Sequence, residues 1–128
     1  MSYKVPEELK YTKDHEWTDL NDGSATVGIT DFAQSSLGDI VFVELPEVGS
    51  SVTRGESFGV VESIKSVSDL YSPLTGEVVE VNSELESQPD LINEAPYSNW
   101  LIKIKLSNQD EVSELLPSSA YVELQTEE

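Results

Sequence analysis

Short apolar stretches, broken every few positions by Gly, Pro, Asn or Asp, run through most of this 128-residue chain. Their spacing is that of half-buried strands. His15-Glu-Trp-Thr and Ser24-Ala-Thr-Val-Gly-Ile-Thr30 flank Asn21-Asp-Gly23, whose composition predicts a tight hairpin turn. Asp31 is placed to cap a short helical piece over Phe32-Ala-Gln-Ser, ending near Gly38. Ile40-Val-Phe-Val-Glu-Leu45 reads as a strand stopped by Pro46. Thr75-Gly-Glu-Val-Val-Glu-Val81 alternates cleanly, and Trp100-Leu-Ile-Lys-Ile-Lys-Leu106 is a further strand with Lys103 and Lys105 on one face. Ser83 to Ile92 reads as one irregular helical segment broken at Pro89; Asn108 to Leu116 and Ser118 to the C-terminus read as helices with Asn and Ser caps. The sum predicts a mainly β fold: a flattened barrel or sandwich of short antiparallel strands, with short flanking helices including a C-terminal one.

Pattern alone leaves the segment around Lys65 open. Val60, Ile64, Val67 and Tyr71 fall at helical spacing, and Glu62, Lys65 and Asp69 stand where helical ion pairs form. Against a helix stand Gly59, four β-branched residues and three serines. A hairpin is favoured, Phe58–Ile64 against Ser66–Tyr71 with Lys65 at its tip, although the tip lacks the Asn-Gly of a two-residue turn.

Composition narrows what such a fold does. At 38% apolar, the chain is able to bury a core but has no stretch suited to spanning a bilayer. Met1-Ser-Tyr-Lys-Val-Pro6 has neither an apolar signal core nor an Arg-rich amphipathic stretch. The expected location is the cytoplasm, or the mitochondrial matrix for a processed organellar form. With no cysteine, the chain has no sulfur chemistry of its own, and any redox group must come from a cofactor. A net charge of −18 argues against nucleic acid and anionic membranes, and favours basic partner surfaces approached by salt-sensitive steering. His15 is the only histidine, and no His/Asp/Glu spacing recommends a metal site, so a structural role is expected for it. Trp17, Phe42 and Trp100 are expected in the core or in a cleft wall.

Between Arg54 and Lys103 the only cation is Lys65, set among nine carboxylates. A surface ion pair with Glu62 or Asp69 would explain an ordinary lysine. An amine on a tight turn of a rigid sheet also suits a covalently attached arm, reachable by a modifying enzyme and free to swing between partners.

The wider sequence favours the arm. The stretch Phe58-Gly-Val-Val-Glu-Ser-Ile-Lys-Ser-Val-Ser-Asp-Leu-Tyr-Ser-Pro-Leu-Thr-Gly-Glu-Val-Val-Glu-Val-Asn82 closely resembles the lipoyl-lysine segment of the glycine cleavage system H proteins. Lys10-Tyr-Thr-Lys-Asp-His-Glu-Trp17, Val27-Gly-Ile-Thr-Asp-Phe-Ala-Gln34, Leu37-Gly-Asp-Ile-Val-Phe-Val-Glu-Leu-Pro46, Leu91-Ile-Asn93, Pro96-Tyr97 and Trp100-Leu-Ile-Lys-Ile-Lys105 extend the likeness over nearly the whole chain. It departs from the family at Ser66-Val-Ser68, at Asp14, and in the loop Pro96–Trp100, which is one residue shorter than usual.

The resemblance implies a non-enzymatic carrier of the biotinyl/lipoyl fold class: one domain over 1–128, with a barrel core at about 15–106 and a helical segment at 108–126. Lys65 would carry lipoate in amide linkage, flanked by Glu62, Ser63, Ile64 and Ser66. Asp14, Glu16 and Asp69 would lie near a surface cleft that shelters the loaded arm. The implied partners are a pyridoxal-phosphate glycine decarboxylase, a tetrahydrofolate-dependent aminomethyltransferase, dihydrolipoyl dehydrogenase, and a lipoyl ligase or octanoyl transferase; a monomer is expected. An alternative use of the same lysine is a relay that donates lipoyl groups to other lipoyl domains. Biotinyl and 2-oxoacid-dehydrogenase lipoyl domains fit less well, being shorter and usually bearing Met or Asp beside the lysine, where this chain has Ile64 and Ser66. A small hydrolase fits least, since no serine pairs with His15 in a recognisable elbow.

Overall fold

The computed structural model describes residues 4–126. The turn at Asn21-Asp-Gly-Ser24 forms as predicted. Asn21 pairs with Ser24, and both central residues take positive φ (Asp22 +34°, Gly23 +81°), as a two-residue hairpin requires. It joins β2 (Glu16–Asn21) to β3 (Ser24–Ile29). Beside this hairpin lie β1 (Lys10–Tyr11), β5 (Ser51–Val52), β8 (Gly76–Val81) and β9 (Ile102–Leu106), giving a six-stranded antiparallel sheet in the order β1-β2-β3-β9-β8-β5. A second sheet is made of β4 (Ile40–Glu44), β6 (Ser57–Ser63) and β7 (Val67–Tyr71), in the order β4-β6-β7. The two-residue strands β1 and β5 were not legible in the pattern.

The sheets enclose one apolar cluster. Val27, Ile29, Val78, Ile102 and Ile104 come from the large sheet, and Ile40, Val43, Phe58, Val61 and Leu70 from the small one. Each such side chain contributes about 1.5–3 kcal/mol by leaving water. Leu85 and Ile92 close the cluster from two four-residue helices, α2 (Glu84–Ser87) and α3 (Leu91–Glu94), where a single broken segment was expected around Pro89.

Helix α1 (Asp31–Leu37) is capped by Thr30 rather than Asp31. The buried Thr30 hydroxyl accepts from the Ala33 amide at 3.2 Å, whereas the Asp31 carboxylate receives the Lys4 amide and the Gln34 side chain. Gly38 ends the helix at φ +84°, a conformation natural to glycine.

The region read as a helix over Asn108–Leu116 is a 3-10 turn, Gln109–Glu114, with Asn108 capping it through the Asp110 amide. It buries none of its residues, and the Glu111 carboxylate ties it to the amide and hydroxyl of Thr75 instead. The last helix, α4, runs Ser118–Thr126 and opens on the Pro117 carbonyl; Glu127 and Glu128 lie outside the described residues. α4 docks through Tyr121, which is fully buried and stacked on Tyr11 at 4.8 Å between ring centroids.

Phe42 departs from expectation. It is 45% exposed and belongs to neither core nor cleft wall. The register of β4 on β6 slips between Ile40 and Phe42, so Val41 and Phe42 both face outward and Val43 turns in. Trp17 is buried as expected, its indole N–H donating to the Pro96 carbonyl, and Trp100 is half-buried under the Lys103 ammonium.

Candidate functional site

Lys65 stands, exposed, at the tip of the β6–β7 hairpin. Glu62 pairs with Val67, and the Ser63 amide donates to the Ser66 carbonyl at 2.8 Å, leaving Ile64 and Lys65 as the loop. Neither takes a positive φ. The Ser63 side chain and the bend between α1 and β4 supply what glycine would have supplied. The Ser63 hydroxyl accepts from the Lys65 and Ser66 amides at 3.3 and 3.1 Å, and the Ile64 amide donates to the Asp39 carbonyl at 3.0 Å.

That last bond sets the tip on a shelf at the end of α1. The shelf is stitched by Asn93, whose amide group donates to the Gly38 carbonyl (2.9 Å) and accepts from the Ile40 amide (2.8 Å), one residue to either side of Asp39. The stem of Lys65 lies along Gly38: a Cβ there would stand 3.4 Å from Lys65 Cε. Gly38, Asp39 and Asn93 were missed as site residues, although each lies in a stretch quoted above for its family likeness.

Beside the shelf a cleft of about 170 Å³ opens between α1 and the inner face of β6 and β7. Ser36 and Leu37 line its near side, Phe32, Ala33, Ile29, Val61 and Leu70 its walls, and Asp14, His15 and Glu16 its far side. Ser68 and Asp69 complete the rim, with the Asp69 carboxylate within 3.4 Å of the Ser57 hydroxyl. The structure thus brings Asp14 and Glu16 to one cleft and sets Lys65 beside it; Asp69 lines the rim, with its side chain on the outer face of β7. Glu62, Ile64 and Ser66 stay on the hairpin outside the cleft lining, while Ser63 builds the turn.

Glu16 is 2% exposed. The backbone brings it inward at His15, whose φ of +69° turns the loop after Thr12. Its carboxyl oxygens accept from the Thr12 hydroxyl (2.7 Å) and from the Tyr71 amide on β7 (3.3 Å). Burial pushes its pKa up to about 8, with the nearby Asp14 charge adding to the rise; the two hydrogen bonds act the other way. Burial thus favours the neutral acid of Glu16 around neutral pH. Behind it lies a larger hollow of about 370 Å³, lined by Thr12, Lys13, Arg54 and Ser72 among others, which does not touch the hairpin tip.

His15 sits in a structural network. Its Nδ1 lies 2.8 Å from the Tyr121 hydroxyl, which also pairs with Thr30 at 2.7 Å, and its ring packs 4.6 Å from that of Phe32. Among the described residues, no group of three or more His, Cys, Asp or Glu side chains is placed to hold a metal ion. No described helix is long and apolar enough to cross a membrane.

Two facing antiparallel sheets of short strands, carrying a lysine on a hairpin tip, make this a member of the biotinyl/lipoyl class of flattened barrels. The family model described as "Glycine cleavage H-protein" matches residues 9–128. The glycine cleavage system H protein of Carboxydothermus hydrogenoformans is 54% identical over 125 residues, covering 97% of this chain and 96% of that one. The protein of the same name from Aliivibrio fischeri is 55% identical over 126 residues, covering 97% and 100%. The crystal structure of a glycine cleavage system H protein from Mycobacterium marinum superposes with a TM-score of 0.89 at 44% identity, over 95% of this chain and 99% of that one. The chain belongs to the glycine cleavage H-protein family. It is accordingly a carrier protein of the glycine cleavage system and not itself an enzyme, and its family carries lipoate.

Proposed function

We propose that Lys65 is the attachment point of lipoate, and that the arm, when loaded, folds from the tip across Gly38 into the cleft between α1 and β7. The observation that carries this reading is the position of the Lys65 stem against Gly38, next to Leu37 at the near side of a cleft whose far side is acidic. The residues fit such an arm. The Lys65 stem already lies against Gly38 at the cleft's near side, and the walls are apolar enough to take a hydrocarbon chain. The group itself supplies a dithiolane, which accepts the aminomethyl unit of glycine and carries an electron pair.

Each residue then has a task. The turn built by Ser63 and the Asp39 carbonyl presents the amine to the outside. Phe32, Leu37 and Leu70 exclude water from the cargo. Glu16 meets the cargo's ammonium at the far side. Although each of its oxygens already accepts one hydrogen bond, a carboxylate has further lone pairs to offer. An incoming cation favours the charged form, so docking of the ammonium draws a proton off Glu16 and forms a charge-assisted bond. Asp14, exposed at the rim, adds attraction for the same cation.

In this reading the chain moves the aminomethyl group from a pyridoxal-phosphate glycine decarboxylase to a tetrahydrofolate-dependent aminomethyltransferase, and is then reoxidised by dihydrolipoyl dehydrogenase. It acts as one carrier domain in the cytoplasm. Peptide mapping of protein isolated from its own host, together with glycine-dependent carbon dioxide exchange by the decarboxylase, tests it. Lipoate found on Lys65, with exchange lost in Lys65→Arg, supports the reading; lipoate on another lysine, or exchange that survives the substitution, ends it.

A further inference from the structure

We infer that the outer face of the small sheet beside Lys65 is the docking surface for the enzyme that attaches the arm, and that it engages that enzyme through an apolar strip formed by Val41, Phe42, Ile64 and Val67. The inference rests on the attachment role proposed for Lys65.

These four side chains are 53%, 45%, 71% and 67% exposed. They are not scattered. Phe42 pairs across to Glu62, and Glu62 to Val67, so the three form one row on one face, nearest the tip. Ile64 belongs to the tip itself, and the slipped register at Val41 turns that side chain outward next to Phe42. The next outward row is Glu44, Val60 and Asp69. Apolar side chains thus border the lysine on both sides of Glu62, with two further carboxylates, Glu44 and Asp69, in the row behind. Fold stability does not account for these exposed side chains, because the residues that fill the core from these strands are Ile40, Val43, Phe58, Val61 and Leu70 on the opposite face. Clustered exposed apolar side chains of this kind mark interaction sites.

Reach selects the occupant. The enzymes that use a finished arm meet its far end, well beyond the amine. The enzyme that makes the amide must bring an activated acyl group to Nζ itself, at the end of only a four-carbon stem. The unprotonated amine attacks the acyl-adenylate carbonyl; the N–C bond forms, the C–O bond to AMP breaks, AMP leaves, and the nitrogen gives up a proton. Such an enzyme cannot reach bonding distance without covering the tip and the strands beside it. The matching surface on the partner is apolar around its active-site mouth with basic side chains beyond, in keeping with Glu44, Glu62 and Asp69 here.

The test uses the full-length apo chain, a lipoate ligase, lipoate and ATP, with modification followed by intact mass. Phe42→Ser/Val67→Ser is expected to raise KM for the carrier at least about tenfold, the usual effect of removing apolar anchors from an interface, with little change in kcat. Val79→Ser, which removes an exposed valine from the large sheet, is expected to leave KM unchanged. A second measurement does not depend on turnover of the variant. Lys65→Arg with the strip intact is expected to compete with wild type for the ligase, and the same protein bearing the two serines is expected not to. An unchanged KM, or equal competition, overturns the docking surface while leaving the attachment site standing. Wild type acylated elsewhere than Lys65 overturns both.

Discussion

The two tight hairpins of this protein reach the same connectivity by opposite means. At Asp22–Gly23 the backbone itself makes the turn, with both residues at positive φ. At Ile64–Lys65 the backbone makes no such excursion. There the Ser63 hydroxyl, the Asp39 carbonyl and the Asn93-stitched shelf hold the chain, and the other end of the returning strand is pinned where Tyr71 donates to Glu16. The first turn takes its dihedral angles from its own residues, and the Gly23 carbonyl accepts a backbone bond from Leu106. The second has given its tip positions to residues with other work, and borrows its geometry from the rest of the fold. A presentation turn that spent its loop on Asn-Gly would have no place for the lysine.

The sharpest break in this comparison is Lys65→Arg. It should abolish lipoylation completely, since a guanidinium does not form the amide, while shifting stability by no more than about 0.5 kcal/mol as expected for an exposed site. Denaturant unfolding and intact mass on the same sample check both halves.

Next comes Glu16→Gln, which probes the pinned end of β7. Native Glu16 keeps its proton up to about pH 8, whereas the unfolded chain loses it near its ordinary value of 4.5. Between those limits the native state binds more protons than the unfolded state, so stability declines as pH rises, and the whole cost is present above pH 8. The glutamine cannot ionise, and the Thr12 hydroxyl is free to turn and accept from it. The variant should match wild type within about 1 kcal/mol near pH 5 and exceed it by something on the order of 3 kcal/mol at pH 9. Parallel melts across that range settle the sign; a wild type as stable at pH 9 as at pH 5 would refute it. In the loaded carrier the same substitution should hasten loss of the aminomethyl cargo, read as formaldehyde and ammonia release.

A matched pair distinguishes the two turns directly. Gly23→Ala places a Cβ at φ +81° and should cost about 1–2 kcal/mol, with lipoylation kinetics unchanged. Ser63→Ala removes the acceptor for two tip amides and should cost about 1 kcal/mol, yet slow lipoylation as the tip loosens. If both variants modify at the wild-type rate, the Ser63 scaffold serves stability only.

Much of the molecule was determined by local sequence. Alternation placed β8 and β9, β-rich composition ended by Pro46 placed β4, Asn21-Asp-Gly23 placed its own turn and β3 beside it, and the isolation of Lys65 within its motif pointed to the hairpin and the family. Those features depend on residues within a few positions of one another, where steric preference and side-chain period operate. What the tertiary structure alone decided depends on partners distant in sequence. Glu16 is placed near a cleft by resemblance, but its burial follows only when β7, fifty-five positions away, donates its Tyr71 amide and closes water out. Phe42 reads as a core residue until the register slip against β6 turns it outward. Lys65 reads as the tip of a tight hairpin, but only Asp39 and Gly38 show that it lies along a shelf beside the cleft. Burial, register and pairing between strands are set by long-range hydrogen bonds and by which face meets the core, and no window of local pattern contains both members of such a pair.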